Sequence, residues 1–116
     1  MNQKNRIAAV VVTYNRKELL RECIEALLVQ SMNQLDILLI DNASTDGTYE
    51  YVEDLVMEND TIYYMNTGSN LGGAGGFHYG LKEAYNRGYD YMWIMDDDTI
   101  ATPDALKNLL AADQKL

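Results

Sequence analysis

The sequence predicts an α/β fold: a doubly wound, mostly parallel sheet of about four strands, flanked by helices in the order βαβαβαβα. Three observations lead there. Four short apolar runs rich in β-branched and aromatic residues alternate with stretches whose apolar residues recur every three or four positions. The first run is continuously apolar, as in a strand buried on both faces. Each run also ends in polar or glycine-bearing residues, as when the strands of an open parallel sheet deliver groups to one edge.

In chain order, Ile7 to Thr13 reads as a buried strand, closed by Tyr14-Asn15-Arg16. Lys17 to Gln30 reads as a helix, with Leu20, Cys23, Ile24, Leu27 and Leu28 at helical spacing. Leu35 to Ile40 is a second buried strand. It ends at Asp41, and turn formers and cap residues fill Asn42 to Gly47, with Ser44 and Asp46 expected as caps. A helix over Thr48 to Met57 buries Val52, Leu55 and Val56. Thr61 to Met65 is the third strand, and Thr67 to Gly76 a glycine-dense loop. Phe77 to Arg87 is a helix with Leu81, Ala84 and Tyr85 turned inward. Tyr91 to Met95 is the fourth strand, with Trp93 in the core. Thr102-Pro103-Asp104 then starts a last helix, carrying an N-cap, a first-turn proline and a first-turn acid. Right-handed crossovers limit how these units connect.

Composition narrows the function. The chain has 116 residues, 47% of them hydrophobic, which suits one domain with one core. A net charge of −9 argues against a nucleic-acid partner. One cysteine, Cys23, allows no internal disulfide, fits a reducing compartment and reads as a small core residue. No stretch approaches the roughly 20 apolar residues of a membrane span.

The polar residues at the four strand ends converge on one crevice. They are Thr13 to Arg16, Asp41 with Asn42, the loop Asn70 to Gly76, and Asp96-Asp97-Asp98. Three consecutive carboxylates at a strand end call for a positive partner. A divalent cation serving a phosphate ligand supplies one. Asp96 and Asp98 lie two apart, so an extended chain points them the same way and Asp97 elsewhere. Asp41 can accept from a base imide or a ribose hydroxyl, and Thr13 and Asn15 offer groups to base or ribose. Glycines at 72, 73, 75 and 76 allow close backbone approach, and a helix starting near Gly76 presents free N–H groups to an anion. Arg16 either pairs with a diphosphate or solvates the helix start. His78 reads as structural or surface, and the nine tyrosines as core and edge packing. No P-loop, no G-x-G-x-x-G after the first strand and no G-x-S-x-G appears, which turns the reading away from P-loop NTPases and dinucleotide binding.

At these residues the chain resembles an inverting glycosyltransferase of family 2 with the GT-A fold, a Rossmann-like nucleotide-binding half. The resemblance rests on Val11 to Arg16, on Ile40 to Thr48, on Asn70 to Phe77 and on Trp93 to Asp98. The last two segments most resemble galactofuranosyltransferases and rhamnosyltransferase-like enzymes of surface polysaccharide synthesis. The resemblance implies a nucleotide-sugar donor, a UDP-sugar ahead of a dTDP-sugar, with Mn²⁺ or Mg²⁺. It implies that Thr13, Asn15, Asp41 and Asn70 hold the nucleoside and that Asp96 and Asp98 form the family's D-x-D pair. Tyr14, Arg16, Gly72, Gly73 and Asp97 complete the expected donor site. In the family the carboxylate that deprotonates the acceptor hydroxyl lies well downstream of D-x-D, beyond Leu116, as does the acceptor-binding half. Residues 1–116 are therefore expected to be the donor-binding part of a GT-A domain, truncated before the acceptor half, with no catalytic base and little or no transfer of its own. The acceptor would be a saccharide or lipid-linked glycan, and the full protein cytoplasmic or peripheral on the cytoplasmic face of a membrane. A sheet cut from a larger one is also expected to self-associate through its exposed edge. Three rival readings stand beside this one, among them a Mg²⁺-binding receiver-type signalling domain, which needs acidic residues after the first strand and a phosphorylatable Asp after the third, neither of them present. A sugar nucleotidyltransferase needs a glycine-rich basic loop where Thr13 to Arg16 stands, and a non-catalytic nucleotide-sugar module would lack the D-x-D carboxylates, which are intact.

Overall fold

A computed structural model describes residues 6–32 and 34–114. The elements are β1 (Ile7–Thr13), α1 (Lys17–Leu28), β2 (Leu35–Asp41), α2 (Thr48–Glu58), β3 (Ile62–Asn66), α3 (Gly72–Asn86), β4 (Tyr91–Asp96) and α4 (Ala105–Gln114). The four strands form one sheet in the order β3-β2-β1-β4, with every pairing parallel. The chain winds outward from β1 through β2 to β3. It then crosses back by way of α3 to place β4 on the other side of β1. The strand order thus reverses between β1 and β4.

That reversal sorts the helices, because right-handed connections made in opposite directions fall on opposite faces. On one face α1, α2 and α4 cover Ile7, Ala9, Val11, Leu35, Ile37, Leu39 and Met95. On the other face α3 covers Ala8, Val10, Val12, Leu38 and Ile40. Both faces of β1 are buried, which accounts for its unbroken apolar run from Ile7 to Val12, and in β2 only Asp36 escapes full burial.

The third helix differs most from the sequence expectation. It begins at Gly72, so four of the five glycines of the glycine-dense segment lie in its first turns rather than in a loop. Its glycines let it lie close on the sheet. A Cβ on Gly76 would stand 2.6 Å from Val12 Cγ1, and one on Gly80 2.5 Å from Val10 Cγ1. Among the glycines of α3 only Gly72 takes a left-handed φ, at 77°. Spacing by four puts Gly72, Gly76 and Gly80 on one helix face. Tyr85 therefore points outward, 76% exposed, while Ala84 is buried.

Two caps also differ. Asp46 does not cap its own helix, whose N-cap is Gly47 at φ 80°. Its carboxylate accepts from the Lys17 backbone N–H at the start of α1 (3.4 Å) and from the Thr48 hydroxyl. Thr102 and Pro103 precede α4 rather than open it. Buried Gln30 serves that end, donating to Thr102 O (2.7 Å) and accepting the Leu106 N–H (3.1 Å). Trp93 is half-buried, and His78 lies exposed on α3.

Candidate functional site

In an open parallel sheet the ligand crevice lies past the carboxyl ends of the strands, where their order reverses. Here that place is a cavity of about 460 Å³, within the range of small-molecule sites. Val12, Thr13, Tyr14 and Arg16 form the β1 wall, and Asp96, Asp97 and Asp98 the β4 wall. Asn42 from the end of β2, and Asn70, Gly72, Gly73 and Phe77 at the start of α3, complete it. Phe77 carries no polar signal that sequence could have flagged, and Asn42 stands out only by following Asp41.

The chain does not stay extended through the three carboxylates. Strand β4 ends at Asp96, whose carbonyl accepts the Thr99 N–H at 3.2 Å and closes a turn. All three residues therefore line the same cavity, and Asp97 does not point elsewhere. It is the buried one, 5% exposed, while its neighbours are exposed. Asp97 Oδ2 accepts from the Thr13 hydroxyl at 3.0 Å, and Arg16 Nη1 approaches its Oδ1 at 3.5 Å. Burial pushes the Asp97 pKa up, and the Thr13 hydrogen bond and Arg16 charge pull against it. The same guanidinium lies 3.9 Å from Asp98 Oδ2.

Asp41 and Asn15 stand behind the wall. Asp41 is 1% exposed, and both its oxygens have partners: the Ser44 N–H at 2.9 Å and the Tyr64 hydroxyl at 2.5 Å. Asn15, at φ 53°, donates its N–H to Ser44 Oγ (2.9 Å) and accepts the Thr45 N–H (2.7 Å). Ser44 is thus a partner of two strand ends rather than a helix cap. Asn42 Nδ2 donates to Gly72 O at 3.0 Å, and Asn70 Oδ1 accepts the Gly72 N–H at 2.9 Å. Together they fix the first turn of α3, whose N–H groups and partial positive charge favour an anion.

The family model described as "Glycosyl transferase family 2" matches residues 8–115. The chain belongs to glycosyl transferase family 2. It is 36% identical over 113 residues to galactofuranosyltransferase GlfT1 of Mycobacterium tuberculosis, covering 94% of this chain and 36% of that one. It is 33% identical over 111 residues to the undecaprenyl-phosphate mannosyltransferase of Micrococcus luteus, covering 92% of this chain and 44% of that one. The chain thus spans less than half the length of these curated relatives. Solved structures share its fold. S. aureus TarS 1–349 in complex with UDP matches with a TM-score of 0.81 at 23% identity, over 95% of this chain and 32% of that one. Mannosyltransferase PcManGT from Pyrobaculum calidifontis, in complex with GDP-Man and Mn²⁺, matches at 0.78 with 24% identity, over 93% of this chain and 32% of that one.

Whether this family 2 site suits a divalent cation depends on its donors. Asp96 and Asp98 offer exposed carboxylates, the hard oxygen ligands that Mg²⁺ and Mn²⁺ prefer. Among the described residues, no group of three or more His, Cys, Asp and Glu side chains is gathered into a ready cage. A cation of the Mg²⁺ type needs none, being held by one or two carboxylates, waters and substrate phosphates. The residues fit such a cation.

Proposed function

We propose that this chain is the donor-binding part of a metal-dependent glycosyltransferase that takes its sugar from a nucleotide sugar, a UDP-sugar first and a dTDP-sugar second. One observation carries the reading most. Among the described residues, the cavity at the switch point of a family 2 sheet is lined by three carboxylates and one guanidinium. The local field is negative until a cation arrives, and a cation there attracts a diphosphate.

Each wall has its own task. Asp96 and Asp98 would hold Mn²⁺ or Mg²⁺, and the ion would neutralise the diphosphate and stabilise it as leaving group. Arg16 reaches the diphosphate from the β1 wall, and the α3 N-terminus at Gly72 and Gly73 faces it from another side. Thr13, Tyr14, Asn42 and Asn70 offer hydrogen-bond groups to ribose and base. Asp41 meets the nucleoside only once the Tyr64 hydroxyl turns away, and Asn15 acts through the Ser44–Thr45 loop it holds.

The transfer step belongs to the whole protein. In this proposal the general base and the acceptor-binding groups lie outside residues 1–116, and the acceptor is a saccharide or lipid-linked glycan. No helix among the described residues is long and apolar enough to cross a membrane; a cytoplasmic or peripheral position is part of the same proposal. Calorimetry with UDP tests the reading. Binding in Mn²⁺ that weakens at least about tenfold in chelator supports it. Binding indifferent to the cation removes the metal from the account, and no binding in either condition removes the donor site.

A further inference from the structure

Asp97 is set apart from the carboxylates on either side of it. They are exposed to the cavity, whereas Asp97 is buried, with hydrogen bonds to two residues of the opposite wall. Those bonds cross the place where the sheet stops holding itself together. The ladder between β1 and β4 ends at Val12 and Asp96. Beyond that pair lie Thr13, the last residue of β1, and Arg16 on one side and Asp97 on the other, and the Asp97 carboxylate joins them. A buried carboxylate is costly unless partners hold it, and here the partners are cavity-lining groups.

We propose that Asp97 is a positioning residue, which ties Thr13 and Arg16 across the crevice so that they meet the donor in fixed geometry, and leaves Asp96 and Asp98 to the cation. The inference rests on the donor-binding reading and deepens it. It separates three adjacent aspartates by role: two that face the ligand, and one that faces the residues that face the ligand.

The test is UDP binding in Mn²⁺, by calorimetry, to the 116-residue chain and its variants. Asp97→Ala removes both contacts, Thr13→Val removes only a hydroxyl, and Thr13→Ser restores it. Asp97→Ala and Thr13→Val are each expected to weaken UDP about tenfold, the scale of a lost hydrogen bond to a charged group. Thr13→Ser stays within about twofold of wild type, which distinguishes the hydroxyl from general packing. On top of Asp97→Ala, Thr13→Val costs less than it does alone, because part of its effect passes through Asp97. Mn²⁺ alone, read by water-proton relaxation, binds Asp97→Ala within about threefold of wild type. Loss of Mn²⁺ binding in Asp97→Ala makes Asp97 a ligand and overturns the proposal. So do fully additive losses, or a neutral Thr13→Val. If Asp97→Ala does not fold, the contrast between Thr13→Val and Thr13→Ser decides. Absence of UDP binding by the wild type defeats the donor reading and this inference together, whereas wild-type binding with neutral variants defeats this inference alone.

Discussion

Asp98 is 54% exposed at its side chain, and Arg16, 3.9 Å away, is the cation beside it. Such a pair contributes about 0–1 kcal/mol, so the carboxylate is open to exchange for a divalent ion. Asp98→Ala is expected to remove the Mn²⁺ dependence of UDP binding while leaving the thermal midpoint within a few degrees, since the residue packs against little. UDP binding that keeps its full metal dependence in that variant contradicts the role. Cys23 illustrates the opposite environment. It is fully buried, its Sγ 3.9 Å from both Met95 Sδ and Asp96 O. Burial, then the Asp97 and Asp98 charges, push its pKa up to about 12. A raised thiol pKa means that the folded state resists ionisation. The contribution is therefore intact below about pH 9 and is lost as pH rises toward about 12. Urea titrations across that window are expected to show declining stability, with the Cys23 share of the slope absent in Cys23→Ala. An identical slope in that variant contradicts the assignment.

Among the elements, α3 separates glycines that share a helix but not a role. At Gly80 a Cβ would stand 2.5 Å from Val10 Cγ1 and 3.0 Å from Ile40 Cγ1, so Gly80→Ala must lift the helix from the sheet. The expected loss is about 1–3 kcal/mol in a chemical-denaturation experiment. Gly73 has open space where its Cβ would go, and Gly73→Ala is expected to be neutral or to stabilise by up to about 1 kcal/mol. Equal effects at the two positions would contradict the packing account. The glycines stand out in the sequence but point there to a loop, because glycine favours flexible segments and helix contact surfaces alike. What decides is spacing by four on a helix whose start is not marked by a recognisable cap. Strand positions are legible for a simpler reason: a continuous apolar run suits a strand covered on both faces. The cap supplied by Gln30 is not legible, since it joins positions separated by 76 residues in sequence. Gln30→Ala is expected to cost about 1–3 kcal/mol, because it leaves the Leu106 N–H and Thr102 O without these partners in a buried setting.

Across the whole molecule, the order β3-β2-β1-β4 brings residues from four segments to one crevice, and that convergence is readable from the polar residues that close each strand. Which side chains face the crevice is not readable. It depends on Tyr64 covering Asp41, and on the turn after Asp96 swinging Asp97 inward. Both depend on contacts distant in sequence or on a departure from strand geometry. The same strand order leaves β3 and β4 at the edges, with Ile94 47% exposed on the face of β4 beside α3. We propose that this edge self-associates. Sedimentation velocity is then expected to show a dimer growing with concentration and reduced in Ile94→Lys. A monomer at every concentration contradicts it. The central claim is that donor and cation meet between β1 and β4. Amide NMR spectra of the labelled chain, recorded with UDP and trace Mn²⁺, test it most directly. The paramagnetic ion is predicted to broaden Thr13 to Arg16, Gly72, Gly73 and Asp96 to Asp98, and to spare the β3 edge around Tyr63. Broadening centred anywhere else, or none beyond that of Mn²⁺ free in solution, would contradict it.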